Sequence, residues 1–277
     1  MKQFPLLLVL LTVGPLAYAQ TLLIGPKIGV QAVQASFDQY SNNAPYQDKQ
    51  RYGLAPQLGV VNNIKVSEFF SLHTEFLYEQ RVRKIKDNDL LTVERYHYVS
   101  APALLRVSYR VGGVAYYING GPRVGYWLGG RGFEESAEIG DEVVERQNYK
   151  LVLGGVDKDV PLRTDEKYVL EPNRWQLGLD VGAGAMLPMG NTHMMIDVRY
   201  SWGHTHMAKS SELYPGSISN TSTLEHTHNM IGVSIAYLFE LDFMEMRRGK
   251  SRSPETKKNT KIKKKGEKLK KQTKRKN

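Results

Sequence analysis

The chain contains no cysteine, which excludes disulfide staples and thiolate chemistry and leaves a sizeable core or a closed sheet to hold it together. Beyond its first residues it has no apolar run approaching the roughly 20 residues that a spanning helix needs. It has no nucleophile elbow or other ordered catalytic motif. A charge excess spread over the whole chain is also lacking. The formal +10 is concentrated in residues 247–277, which hold sixteen of the 38 Lys and Arg but two of the 28 Asp and Glu. The rest, with 22 basic and 26 acidic residues, is mildly acidic.

What is present begins with an export signal. Lys2 supplies a positive start, Phe4 to Leu16 an apolar stretch, and Ala17-Tyr18-Ala19 a small-x-small cleavage site. The expected organisation is a signal peptide over 1–19, a barrel over 20–243 and a basic, disordered tail over 244–277. Between Arg95 and Gly130 the sequence alternates with period two across Val111-Gly112-Gly113. Val99, Ala101, Ala103, Leu105, Val107 and Tyr109 fall on one face of the first arm. Tyr116, Ile118, Val124, Tyr126 and Leu128 fall on one face of the second. Such alternation around a glycine turn is a long antiparallel hairpin. Its arms exceed the usual strand of about 5–6 residues and suit a membrane span of about 9–11.

The same pattern predicts strands over 23–35, 52–66, 69–82, 175–189 and 193–202, and a last one opening at His226. With the hairpin that makes eight. Short turns at 67–68, 111–113 and 190–192 alternate with long loops at 38–51, 84–94, 130–173 and 204–225. This is the asymmetry of outer-membrane barrels, with short periplasmic turns and long external loops. The expected fold is therefore an all-β, eight-stranded antiparallel up-and-down transmembrane barrel. Tyr149 to Val156 is expected as a strand projecting beyond the membrane.

Several motifs carry a resemblance. Tyr-x-x-x-Pro-Ala-Leu-Leu-Arg at 98–106, Tyr-x-x-x-Gly-Gly-Pro at 116–122, a glycine-bearing first strand and an aromatic last strand together resemble the PorT-type outer-membrane β-barrel family. The resemblance covers roughly residues 20–243. It implies a small barrel in the cell outer membrane of a Gram-negative bacterium, with a secretion role known for some members.

Alternation places Lys27, Arg81, Arg106, Arg123 and Arg199 inside, against Glu75, Glu79, Asp180 and Asp197. An eight-stranded barrel is just wide enough for side chains to fill, so cross-strand ion pairs are expected to plug it. Four histidines flank the last loop. His204 and His206 close strand seven, and His226 and His228 open strand eight. Residues i and i+2 share a face of a strand, so each pair suits metal ligation. Parity, however, turns His204 and His206 outward and His226 and His228 inward, unless a bulge at Gly203 reunites them. His204, His206, Ser210, Ser211 and Glu212 supply the residue types of a rim hydrolase without an ordered motif, so no catalytic residue and no cofactor are expected. The expected role is a non-enzymatic structural or accessory one in the envelope, linked to protein secretion. The alternative is a ligand- or metal-binding barrel acting through its external loops. The lipid bilayer is the first partner. Through the lysine tail, peptidoglycan, an anionic lipid or a periplasmic or secretion protein is the second, and nucleic acid is not expected.

Overall fold

The computed structural model describes residues 21–37, 48–87, 90–137, 144–154, 163, 165–169, 171–208, 212–213 and 226–241. Its strands are β1 (Thr21–Phe37), β2 (Gln50–Arg51), β3 (Gly53–Lys65), β4 (Phe70–Asp87), β5 (Leu90–Val111), β6 (Val114–Ala137), β7 (Val144–Leu153), β8 (Glu166–Val169), β9 (Trp175–Met189), β10 (Thr192–Gly203), β11 (Glu212–Leu213) and β12 (His226–Leu241). Eight of them close a ring in the order β1-β3-β4-β5-β6-β9-β10-β12, and β12 returns to β1 through fourteen matched pairs from Leu22↔Leu241 to Phe37↔His226. Every pairing in the ring is antiparallel. Closure removes the unpaired edges that lipid cannot hydrogen-bond.

The alternation survives almost residue for residue. Ile28, Leu58, Phe76, Leu105, Ile118, Val181 and Ile235 are exposed, while their chain neighbours Lys27, Gln57, Glu75, Arg106, Asn119, Asp180 and Ser234 are buried. Apolar outside and polar inside inverts a soluble sandwich, and it suits a sheet bathed in hydrocarbon. On β12 the outward apolar run extends from Ile231 to Phe239, and the next outward positions are Asn229 and Thr227. On β5 it ends at Val99, beyond which His97 and Arg95 face outward. Those limits mark the membrane band. The turns at 66–69, 112–113 and 190–191 lie at the end where Thr21 and Leu241 meet the sheet. In barrels of this kind that end faces the periplasm. Gly112 and Gly113 have φ of 56° and 91°, which only glycine adopts without strain.

Two expectations need correction. The stretch 84–94 is not a loop: β4 continues to Asp87 and β5 starts at Leu90. Nor is 130–173 irregular apart from one strand at 149–156, because β6 continues to Ala137 and pairs with β7, which runs from Val144 to Leu153, and β7 pairs in parallel with β8. In both places a dense run of charge hid strands that stand above the membrane, where water rather than lipid faces their outer side. A register shift between His97 and Tyr98 makes Leu128 an extra residue on β6. The bulge reverses which positions of β6 face inward, from odd at Trp127 to even at Gly132 and Glu134. The boundary at 243/244 and most of the 204–225 loop lie outside the described residues.

Candidate functional site

The lumen is filled in three layers. Nearest the periplasm lies an apolar floor of Leu23, Val61, Ala115, Tyr117, Met186, Met195, Ala236 and Leu238. Above it stands the ionic layer expected from parity. Glu75 is its centre. Lys27 Nζ donates to Oε1 at 2.8 Å, Arg199 donates to both oxygens at 2.8 Å, and His73 Nε2 lies 2.7 Å from Oε1. Arg199 also pairs with Asp197 at 3.0 Å and Asp180 at 3.6 Å. Arg123 continues the chain to Asp180 at 3.4 Å and to Glu79, which Arg81 grips at 2.9 and 3.0 Å. Among the described residues, Arg106 forms no ion pair in this layer. Its guanidinium lies 3.7 Å over the Tyr117 ring, and Nη2 donates to the Met195 sulfur at 3.4 Å.

Glycine makes room for this network. Gly182 and Gly184 of β9 face inward, and a Cβ on Gly182 would come within 2.8 Å of the Asn119 amide oxygen. Without side chains there, Tyr117 and Asn119 reach Asp197 at 3.0 and 3.3 Å.

The third layer stands above the membrane band and was not foreseen. Glu94 is fully buried and accepts from four groups: Arg83 Nε at 2.7 Å, Tyr96 at 2.5 Å, Tyr149 at 2.9 Å and Lys167 at 2.9 Å. Around it pack Tyr98, Trp127, Leu151, Val169 and Met207. Tyr98 and Trp127 are stacked at 6.4 Å between centroids. Burial pushes the Glu94 carboxyl up, yet Arg83 and Lys167 outweigh it and hold the group well below the usual carboxylate range.

Of the four histidines, two sit side by side inside the barrel, and His206 acts electrostatically on one of them, His226. His226 and His228 point inward and are buried, with ring centroids 4.8 Å apart and nearly perpendicular planes. Tyr96 meets them at 6.2 and 5.5 Å. Burial, then Arg83, holds His226 well below the ordinary imidazole range; burial, then Arg81, does the same to His228. β10 keeps unbroken register to Trp202↔Asn229 and ends at Gly203, so His204 and His206 follow the strand instead of closing it. His204 is exposed and His206 half-buried. Among the described residues no three His, Asp or Glu side chains gather in a group able to hold a metal ion. Ser210 and Ser211 lie outside the described residues. Glu75, Glu79 and Glu94 each accept from two or more groups, which leaves none of them placed as a general base.

This rim should soften in acid in two stages. The unfolded chain binds protons that His226 and His228 refuse when folded, so stability falls as pH drops through about 6.5. Glu94 has a depressed folded value, so its contribution is complete above about 4.3 and is lost only below that. The melting midpoint of the detergent-folded protein should therefore decline between about pH 7.5 and about pH 5.5, and the double variant His226→Phe/His228→Phe should decline less steeply there. Glu94→Gln should melt lower already at neutral pH, with the gap closing only below about pH 4. Identical pH curves for all three proteins would contradict this assignment.

Among solved structures, the chain is similar to the attachment invasion locus protein Ail of Yersinia pestis, at 13% identity over 78% of this chain and 98% of that one, with a TM-score of 0.32. Neisserial surface protein A shares 11% identity over 80% and 97%, with a TM-score of 0.35. A major outer membrane protein from Thermus thermophilus shares 14% over 78% and 99%, with a TM-score of 0.37. No curated protein matches the chain. The family model described as outer membrane protein beta-barrel domain matches residues 18–209. Those residues take in the first seven strands of the ring, and the chain belongs to that outer-membrane β-barrel family.

Proposed function

We propose that this outer-membrane barrel is a non-enzymatic structural or accessory component of the envelope, not a pore. The observation that supports this reading is the filled lumen. From Met195 and Leu238 at the floor, through Glu75 and Arg199, to Glu94 and Met207 at the outer end, buried side chains occupy each level. With the interior occupied, function falls to the surfaces at the two ends. A part in protein secretion is one form of that accessory role, and the resemblance of residues 98–106 and 116–122 to PorT-type barrels supports it.

The sequence offers one contact of clear chemistry. Residues 247–277 carry a net charge of +14 and only two large aliphatic side chains, Ile262 and Leu269. Too apolar-poor to bury a face of their own, they suit an acidic partner: peptidoglycan carboxylates, anionic lipid or an acidic periplasmic or secretion protein.

Deleting residues 247–277 is expected to leave membrane insertion and melting unchanged while abolishing salt-sensitive association of the detergent-folded protein with peptidoglycan or solubilised envelope components. In the full chain that association should fade as salt rises, because exposed charges are screened within about 8 Å at physiological ionic strength. Sedimentation of both proteins with peptidoglycan and solubilised envelope over a salt series reads this directly. Equal, salt-insensitive binding by the two proteins would overturn the tethering role, and failure of the shortened chain to insert would place the tail within the fold.

A further inference from the structure

Outside the lumen, one surface carries charge that the fold does not balance. Arg95 of β5 stands directly opposite Arg131 of β6, and Arg131 directly opposite Lys150 of β7. All three are exposed. Like charges directly opposite on adjacent strands destabilise a sheet, so the row opposes folding unless an anion lies against it. A fourth exposed cation, Arg146, lies 3.8 Å over the Phe133 ring on the same face. These four line one cleft of about 560 Å³ with Val93, Phe133, Asn148 and Asp165.

The nearby carboxylates are engaged or set apart from the row. Asp165 takes two bonds from Arg163 at 3.0 Å. Glu166, opposite Lys150 on β8, accepts from the Tyr168 hydroxyl at 2.5 Å and pairs with Arg163 at 3.8 Å. Glu135 stands opposite Arg146, not opposite the row. Among the described residues no carboxylate forms an ion pair with Arg95, Arg131 or Lys150. Nor does the row follow from general basicity, since residues 1–246 hold more acidic than basic side chains.

Orientation and height point to the occupant. Glu94, Tyr96, Gly132 and Tyr149, the chain neighbours of the row, face inward and are buried, so the cations face away from the lumen. The unbroken outward apolar run of β5 ends at Val99, and Arg95 lies four positions beyond it. At about 3.3 Å per residue and a tilt near 40°, that is roughly 10 Å above the hydrocarbon. We propose that Arg95, Arg131 and Lys150 seat the phosphate groups of an anionic lipid headgroup in the outer leaflet. The guanidinium groups of Arg95 and Arg131 offer paired donors to phosphate oxygens. Arg146, held over Phe133, adds a fourth cation at the edge of the cleft.

The test uses the full chain in nanodiscs of three compositions: zwitterionic phospholipid alone, the same lipid with a bisphosphorylated glycolipid, and the same lipid with that glycolipid dephosphorylated. Wild type should melt several degrees higher with the phosphorylated lipid than with either of the others. The variant Arg95→Gln/Arg131→Gln/Lys150→Gln should show no such rise, and in purely zwitterionic discs it should melt as high as wild type or higher, because the repulsion within the row is gone. An equal rise in wild type and variant, or an equal effect of the dephosphorylated lipid, would overturn the proposal. A rise produced by soluble inorganic pyrophosphate but not by the lipid would assign the row to a free phosphate compound and likewise overturn it. Should the triple variant fail to fold, the wild-type comparison between phosphorylated and dephosphorylated lipid still decides.

Discussion

Glu75→Gln is expected to destabilise the barrel by about 3–5 kcal/mol, the usual cost of removing one partner from a buried charge network. Glu75 is fully buried and engages Lys27, His73 and both terminal nitrogens of Arg199. Glutamine has nearly the same shape, so packing is preserved and charge is what changes. Lys27 is then left 3.8 Å from Asp197 as its nearest carboxylate, and Arg199 keeps Asp197 at 3.0 Å and Asp180 at 3.6 Å. Adding Lys27→Met to Glu75→Gln should recover much of the loss, because the second change removes the orphaned cation. Urea unfolding in detergent, followed by the gel shift between folded and boiled forms, measures all three proteins. A Glu75→Gln loss below about 1 kcal/mol, within the range of exposed pairs, would mean that water screens the layer.

The second large effect is expected on the opposite face of the same wall. Leu58, Ile28, Ile235 and Ile196 form a continuous outward row across β3, β1, β12 and β10. Ile235 is the middle of the five outward apolar positions of β12. An arginine at the bilayer midplane costs about 2–4 kcal/mol, falling to about 0–1 near the interfaces. Ile235→Arg should therefore lower stability in lipid by the larger amount and Thr227→Arg, above the band, by the smaller. Equal costs at the two positions would contradict the membrane placement derived from the outward residues.

Much of this wall was legible in the sequence because a membrane strand obeys one rule along its whole length. Period-two alternation placed Lys27, Glu75, Glu79, Arg81, Arg106, Arg123, Asp180, Asp197 and Arg199 inside, and all are buried. Where the strand leaves the membrane the rule weakens, since water tolerates polar side chains on both faces. Glu94 and Arg83 were lost for that reason, although their parity matches Tyr98 and Arg81 and would have placed them inward had the strands been extended. Lys167 carried no such signal. It reaches Glu94 only because β8 joins β7 in parallel, a pairing that periodicity does not encode. The partners within the ionic layer were equally hidden: parity tells which residues face the lumen, while the stagger between strands decides which meet.

Single-channel recording in planar bilayers tests most directly whether side chains close this lumen. With the floor at Leu23 and Leu238, the ionic layer around Glu75 and Glu79 and the aromatic layer around Trp127 all in place, the reconstituted full-length protein should insert and give no stable conductance. Large, reproducible single-channel steps from protein that migrates as folded would contradict it.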